Sequence, residues 1–70
     1  MKDMTIFLNN TPLLVEEGCD LAALMRANGL SGKEGIAVAL NARVVPKEKW
    51  EHTILKENDM LLVIGASYGG

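Results

Sequence analysis

Apolar residues fall into short runs separated by turn-forming residues, and the runs do not share one period. Met4 to Leu8 is apolar and partly β-branched and stops at Asn9-Asn10. Asparagine tolerates positive φ, so this pair predicts a two-residue hairpin turn of the primed type. Thr11 to Val15 is the returning strand, and Pro12, which cannot donate to a ladder, places it at a sheet edge. Gly18 breaks that strand, and Cys19 or Asp20 can cap the helix that follows, with Asp the better acceptor. Leu21, Leu24 and Met25 make one apolar stripe at helical spacing. Asn28-Gly29 closes the helix with Gly29 left-handed and Leu30 folding back, so the pattern predicts a helix from about Leu21 to Asn28.

Beyond a polar loop, Ser31 to Gly35, the run Ile36 to Asn41 reads as a central strand. Ala42-Arg43 reads as a turn, Val44-Val45 as a short strand ended by Pro46, and Trp50 as the anchor of an irregular stretch. Lys56 to Asp59 is a turn, and Met60 to Ile64 is the last strand. The order β-β-α-β-β predicts an α+β domain, a mixed sheet of four to five strands packed on one helix. Residues 1–64 form that domain, and residues 65–70 are a tail.

Every residue from Met60 to Ile64 is apolar, yet successive side chains of a strand point to opposite faces and one helix covers only one of them. The expectation is Met60, Leu62 and Ile64 inward. Leu61 and Val63 then point outward beside Phe7, forming an apolar outer face of the kind that docks proteins.

Composition narrows the function. Seventy residues allow one core, and a chain this short buries only about 60% of its extended surface. The net charge of -2, seven scattered Lys and Arg, and a single Tyr, Trp and Phe argue against a nucleic-acid surface. A lone cysteine excludes an internal disulfide and a cysteine-based metal cluster and favours a reducing, cytoplasmic setting. The start, with Asp3 and no long apolar run, does not read as a signal peptide, and no run approaches the roughly 20 apolar residues that span a bilayer. No membrane partner is expected.

The sequence closes on Gly69-Gly70 behind Gly65, Ala66, Ser67 and Tyr68. Glycine adds no core area and loses the most backbone freedom on ordering, so this reads as a thin, mobile tail for a partner to act on. From the glycine pair alone, an ordinary frayed end is an equal reading. Cys19 near a helix start could be a thiolate, but a structural or incidental thiol is preferred. His52 reads as a surface residue, Trp50 as a packing anchor, and Glu16, Glu17, Glu57 and Asp59 as solvated turn acids.

The opening strand into Asn9, the segment AVALNARVVPKEKW and the ending LKENDMLLVIGASYGG together resemble the ThiS sulfur-carrier family of thiamin thiazole biosynthesis, which has the ubiquitin-like β-grasp fold. The segment Asn41 to Trp50, N-x-x-V-V-P-x-x-x-W, and the terminal Gly69-Gly70 carry most of the resemblance. Two positions depart from the family pattern: Glu57-Asn58-Asp59 replaces Asp-Gly-Asp, and Asn41-Ala42 replaces a frequent Asn-Gly.

The resemblance implies a protein cosubstrate rather than an enzyme. Its Gly70 carboxylate would be adenylated by a ThiF-type enzyme using MgATP and converted to a thiocarboxylate, with a cysteine desulfurase as sulfur source. A ThiG-type thiazole synthase would then accept the sulfur, and the carrier itself would hold no cofactor or metal. On this reading Gly65, Ala66, Ser67, Tyr68 and Gly69, with Phe7, Leu61 and Val63, bind the partners, and the two enzymes compete for one face. Rival readings are a MoaD-type small subunit of molybdopterin synthase and a carrier for another sulfur pathway. Outside that class stand a ubiquitin-like protein modifier and a plain β-grasp interaction module.

Overall fold

Asn9 and Asn10 adopt φ of 49° and 68°, the left-handed pair that a two-residue primed turn requires. They join β1 (Asp3–Leu8) to β2 (Thr11–Glu16), paired antiparallel from Asp3–Glu16 to Leu8–Thr11. The computed structural model describes residues 2–30 and 35–65. Over those residues the remaining elements are α1 (Leu21–Ala27), β3 (Ile36–Leu40), β4 (Arg43–Val44), a 3₁₀ helix (Lys47–His52) and β5 (Met60–Gly65).

The helix is short and depends on its ends, since isolated helices of under about 12 residues are marginal in water. At its start the Asp20 carboxylate accepts from the Ala23 N–H at 2.7 Å. At its end Gly29 takes φ 71°, and the Leu30 and Gly29 N–H groups donate back to the carbonyls of Met25 (2.8 Å) and Arg26 (3.1 Å). This is the Schellman closure, and it buries Leu30 against the helix face, as the sequence pattern predicts.

The strands form one five-stranded sheet in the order β2-β1-β5-β3-β4. Parallel pairing of β1 with β5 brings the two ends of the domain together in the sheet interior, while β5 and β3 pair antiparallel. β2 lies at an edge, as Pro12 requires. β3 is an interior strand, paired with β5 and β4, as its apolar run predicts, and β5 occupies the middle of the sheet. The second turn also differs by one residue from the expected Ala42-Arg43: its centre is Asn41-Ala42, with φ of 50° and 72°, and Arg43 already pairs with Leu40. Asn41 therefore turns the chain rather than ending β3.

Met4, Ile6, Leu21, Leu24, Met25, Val38, Leu55, Leu61 and Val63 fill the space between helix and sheet. Trp50 closes one side of this core and is buried, and its indole N–H donates to the Val45 carbonyl at 3.0 Å. That bond satisfies the ring's single donor, as burial of an indole requires. The turn before β5 places Asn58 at φ 69°, so asparagine supplies the left-handed residue there.

Candidate functional site

The face of the sheet opposite α1 carries a shallow apolar groove along β5. Its floor is Phe7, Ala39, Met60 and Leu62, and Asn9, Asn10, Asn41 and Ala42 form its rim. Met60, Leu62 and Ile64 are 54%, 47% and 56% exposed, whereas Leu61 and Val63 are 2% and 3% exposed. This corrects the expected phase of the last strand. Leu61 and Val63 belong to the core and cannot present their side chains to a partner. The outward row is Met60, Leu62 and Ile64, with Phe7 beside it.

Register is the physical cause. Residues directly opposite across paired strands share a face. Val63 lies opposite the fully buried Val38, and Leu61 opposite Leu8 and Leu40, which pack against the core. Met60 lies opposite Phe7, and Leu62 opposite Ala39.

Two asparagines hold β5 in that register, although the sequence pattern marks Asn9 only as a turn former and Asn41 only as the end of a strand. The Asn41 N–H donates to the Met60 carbonyl (2.8 Å), and its Oδ1 accepts from the Met60 N–H (3.0 Å). The Asn9 N–H donates to the Leu61 carbonyl (2.9 Å), and its Oδ1 accepts from the Val63 N–H (2.8 Å). Each is the first left-handed residue of a hairpin turn, where a short amide side chain can curl back onto the neighbouring strand. The signal was present as a repeated Leu-Asn at the end of β1 and of β3, Leu8-Asn9 and Leu40-Asn41.

Acids read as solvated contribute to the same frame. Glu57 Oε2 accepts from the Thr5 N–H at 2.8 Å. The Asp59 carboxylate accepts from the Lys56 N–H at 2.8 Å and from Asn41 Nδ2 at 3.0 Å. The exposed His52 enters none of this.

β5 ends at Gly65, opposite Ile36. A Cβ on Gly65 would stand 2.6 Å from Ile36 Cγ2 and 3.0 Å from the Gly35 carbonyl oxygen. Gly65, expected from the sequence as the first residue of the tail, is thus the last residue of β5, and close packing demands a glycine there. The other tail residues singled out in the sequence, Ala66, Ser67, Tyr68, Gly69 and Gly70, lie outside the described residues.

Cys19 is half-buried, and its thiol donates to the Asp20 carbonyl at 3.4 Å. Partial burial pushes its pKa above the ordinary value, and the Asp20 and Glu16 carboxylates push it further the same way. The thiol reading therefore holds over the thiolate one. Among the described residues, no three His, Cys, Asp or Glu side chains stand close enough together to hold a metal ion. None of the described helices is long and apolar enough to cross a membrane.

A mixed sheet with parallel β1 and β5 adjacent in its interior and one helix across a single face defines the class: a ubiquitin-like β-grasp domain. The model of the ThiS family matches residues 5–70, and the chain belongs to that family. Among solved structures, the crystal structure of the thiamine biosynthesis protein ThiS from Geobacter metallireducens superposes with a TM-score of 0.80. The two are 26% identical over 96% of this chain and 100% of that one. The solution NMR structure of a thiamine biosynthesis protein from the same organism gives a TM-score of 0.74 at 26% identity, covering 96% of this chain and 88% of that one. A search of curated proteins found no match.

Proposed function

We propose that this protein is a sulfur carrier for the thiazole of thiamin, and that the Gly70 carboxylate is the group that carries the sulfur. Family membership and the likeness to ThiS support the carrier role. The observation that carries the reading further is the pairing, on β5, of an exposed apolar row (Met60, Leu62, Ile64) with the base of a glycine-ended tail. One strand thus supplies both a surface to be held by and the end to be acted on.

The chemistry explains why a partner is needed. Oxide is a very poor leaving group, so a carboxylate does not exchange oxygen for sulfur directly. A ThiF-type enzyme would bring MgATP, and a Gly70 carboxylate oxygen would attack the α-phosphate with loss of pyrophosphate. A persulfide sulfur from the cysteine desulfurase pathway then attacks the acyl carbon, AMP departs, and a thiol reductant cleaves the S–S bond to leave the thiocarboxylate. Splitting one difficult step into easier ones is the logic of covalent catalysis. A ThiG-type synthase would accept the sulfur.

The tail suits this use. The five residues beyond Gly65, at about 3.3 Å each, reach about 16 Å when extended. Gly69 and Gly70 have no Cβ to obstruct a narrow channel to the nucleotide. Partner recognition falls to the tail backbone and to Phe7, Met60, Leu62 and Ile64, and both enzymes use the same face in turn. The test is ATP–pyrophosphate exchange by the ThiF-type enzyme with this carrier present. Exchange should depend on the carrier and disappear when Gly70 is deleted; exchange that persists without Gly70 contradicts the proposal.

A further inference from the structure

We infer that Asn9 is a positioning residue for the tail: through its side chain it fixes the exit of β5 and so the place at which the terminal carbonyl is presented. The inference rests on the carrier reading above.

The pairing of β1 with β5 ends at Leu8–Leu61, but β5 continues to Gly65. On its other side β5 stays paired with β3 to its end, through Ala37–Ile64 and Ile36–Gly65. On the β1 side the chain has turned away into the hairpin, and the ladder would stop at the Asn9 N–H to Leu61 carbonyl bond. Successive N–H groups on one side of a strand come from alternate residues, so Val63 is the next donor there. The Asn9 side-chain oxygen accepts from it at 2.8 Å, in the place that Asn9's own carbonyl would take if the parallel ladder continued. Two residues later, at Gly65, β5 ends.

The turn does not need this side chain, because glycine adopts both left-handed positions more readily than asparagine. The asparagine oxygen is therefore available for β5. Activation requires a carrier held by its outer face while its terminus reaches a fixed point in the partner. Misplacing reacting atoms by about 1 Å can cost on the order of 100-fold in rate. A β5 end anchored from the β3 side alone would leave the tail a wider range of directions. The penalty belongs mainly in turnover, because the exposed row Met60, Leu62 and Ile64 is unchanged, its register is still held by Asn41, and Asn9 contributes only to the groove's rim.

The experiment compares full-length Asn9→Gly, which keeps the turn and removes the acceptor, with Asn9→Asp, which keeps an acceptor at a tolerated left-handed position. Asp20→Ala, which removes the α1 cap on the opposite side of the sheet, is the control for general destabilisation. Carrier-dependent ATP–pyrophosphate exchange is measured at a temperature where all variants are folded. Asn9→Gly should lower kcat about tenfold with KM within about twofold, the signature of lost positioning rather than lost docking. Asn9→Asp should recover most of the loss, and Asp20→Ala should show none. A kcat for Asn9→Gly equal to wild type, or an equal loss in Asp20→Ala, overturns the inference.

If wild-type carrier supports no exchange, the carrier reading fails, and NMR of the free protein decides the role of Asn9 separately. Asn9→Gly should speed exchange of the Val63 amide and increase the motion of Ile64 and Gly65 at the end of β5. Unchanged motion there refutes the role of Asn9.

Discussion

Single backbone positions carry much of the information in this chain, and two of them make opposite predictions. Ala42 sits at φ 72°, where a residue with a Cβ costs about 1–2 kcal/mol. Asn41 enforces the turn by holding both Met60 backbone groups, so the strain at Ala42 persists. Ala42→Gly should raise stability by about 0.5–1 kcal/mol in urea denaturation, the relief being partly offset by the greater freedom of glycine in the unfolded chain. Gly65 is the reverse case. A Cβ there meets a stiff β-branched side chain and a backbone oxygen, neither of which yields cheaply. Gly65→Ala should destabilise by about 1–3 kcal/mol, and Ile36→Ala in the same chain should recover part of that loss. Additive effects of the two substitutions would mean that the close approach is not the cause.

At the scale of elements, what local pattern dictates was legible and what register dictates was not. The first hairpin, the edge position of β2, the helix with its Asp20 cap and Gly29 closure, and the Trp50 anchor all follow from residues within one or two turns of chain. The phase of β5 does not. In Met60 to Ile64 both faces are apolar, so a period of two has no marker, and the choice falls to Val38, Leu8 and Leu40 across the sheet. The second turn was displaced by one residue because alanine is a poor left-handed residue, and only the Asn41–Met60 bonds, 19 residues apart, reveal why it is tolerated.

The start of α1 gives a pH prediction of definite sign. The folded state holds the Cys19 proton more tightly than the unfolded state does. Its contribution to stability is thus complete below the ordinary thiol pKa and is lost as pH rises through the higher folded value. Chemical denaturation from neutral to alkaline pH should show this decline in wild type and less of it in Cys19→Ala. At neutral pH the thiol should react with iodoacetamide more slowly than a free small-molecule thiol.

For the whole molecule, the sheet divides labour between its faces. The helix side holds the fold together, and the outer side, with Met60, Leu62 and Ile64 exposed, is the face proposed above to meet partners. Adjacent residues on β5 should therefore fail in different ways. Leu62→Asp should unfold at nearly the wild-type urea concentration yet raise the KM of the activating enzyme for the carrier about tenfold, a loss of about 1.4 kcal/mol. Leu61→Asp buries a carboxylate without a partner and should not fold stably. Equal behaviour of the two variants in either assay would contradict the assignment of faces.

Whether sulfur is carried on the last residue is decided by mass spectrometry of the carrier after co-expression with a ThiF-type enzyme and a cysteine desulfurase. The gain should be one oxygen replaced by sulfur, a shift close to oxidation of one of the four Met residues, so fragmentation has to locate it. Sulfur at Gly70 in wild type and its absence when Gly70 is deleted is the predicted result. An unmodified Gly70, with the same partners active on another carrier, would contradict the account.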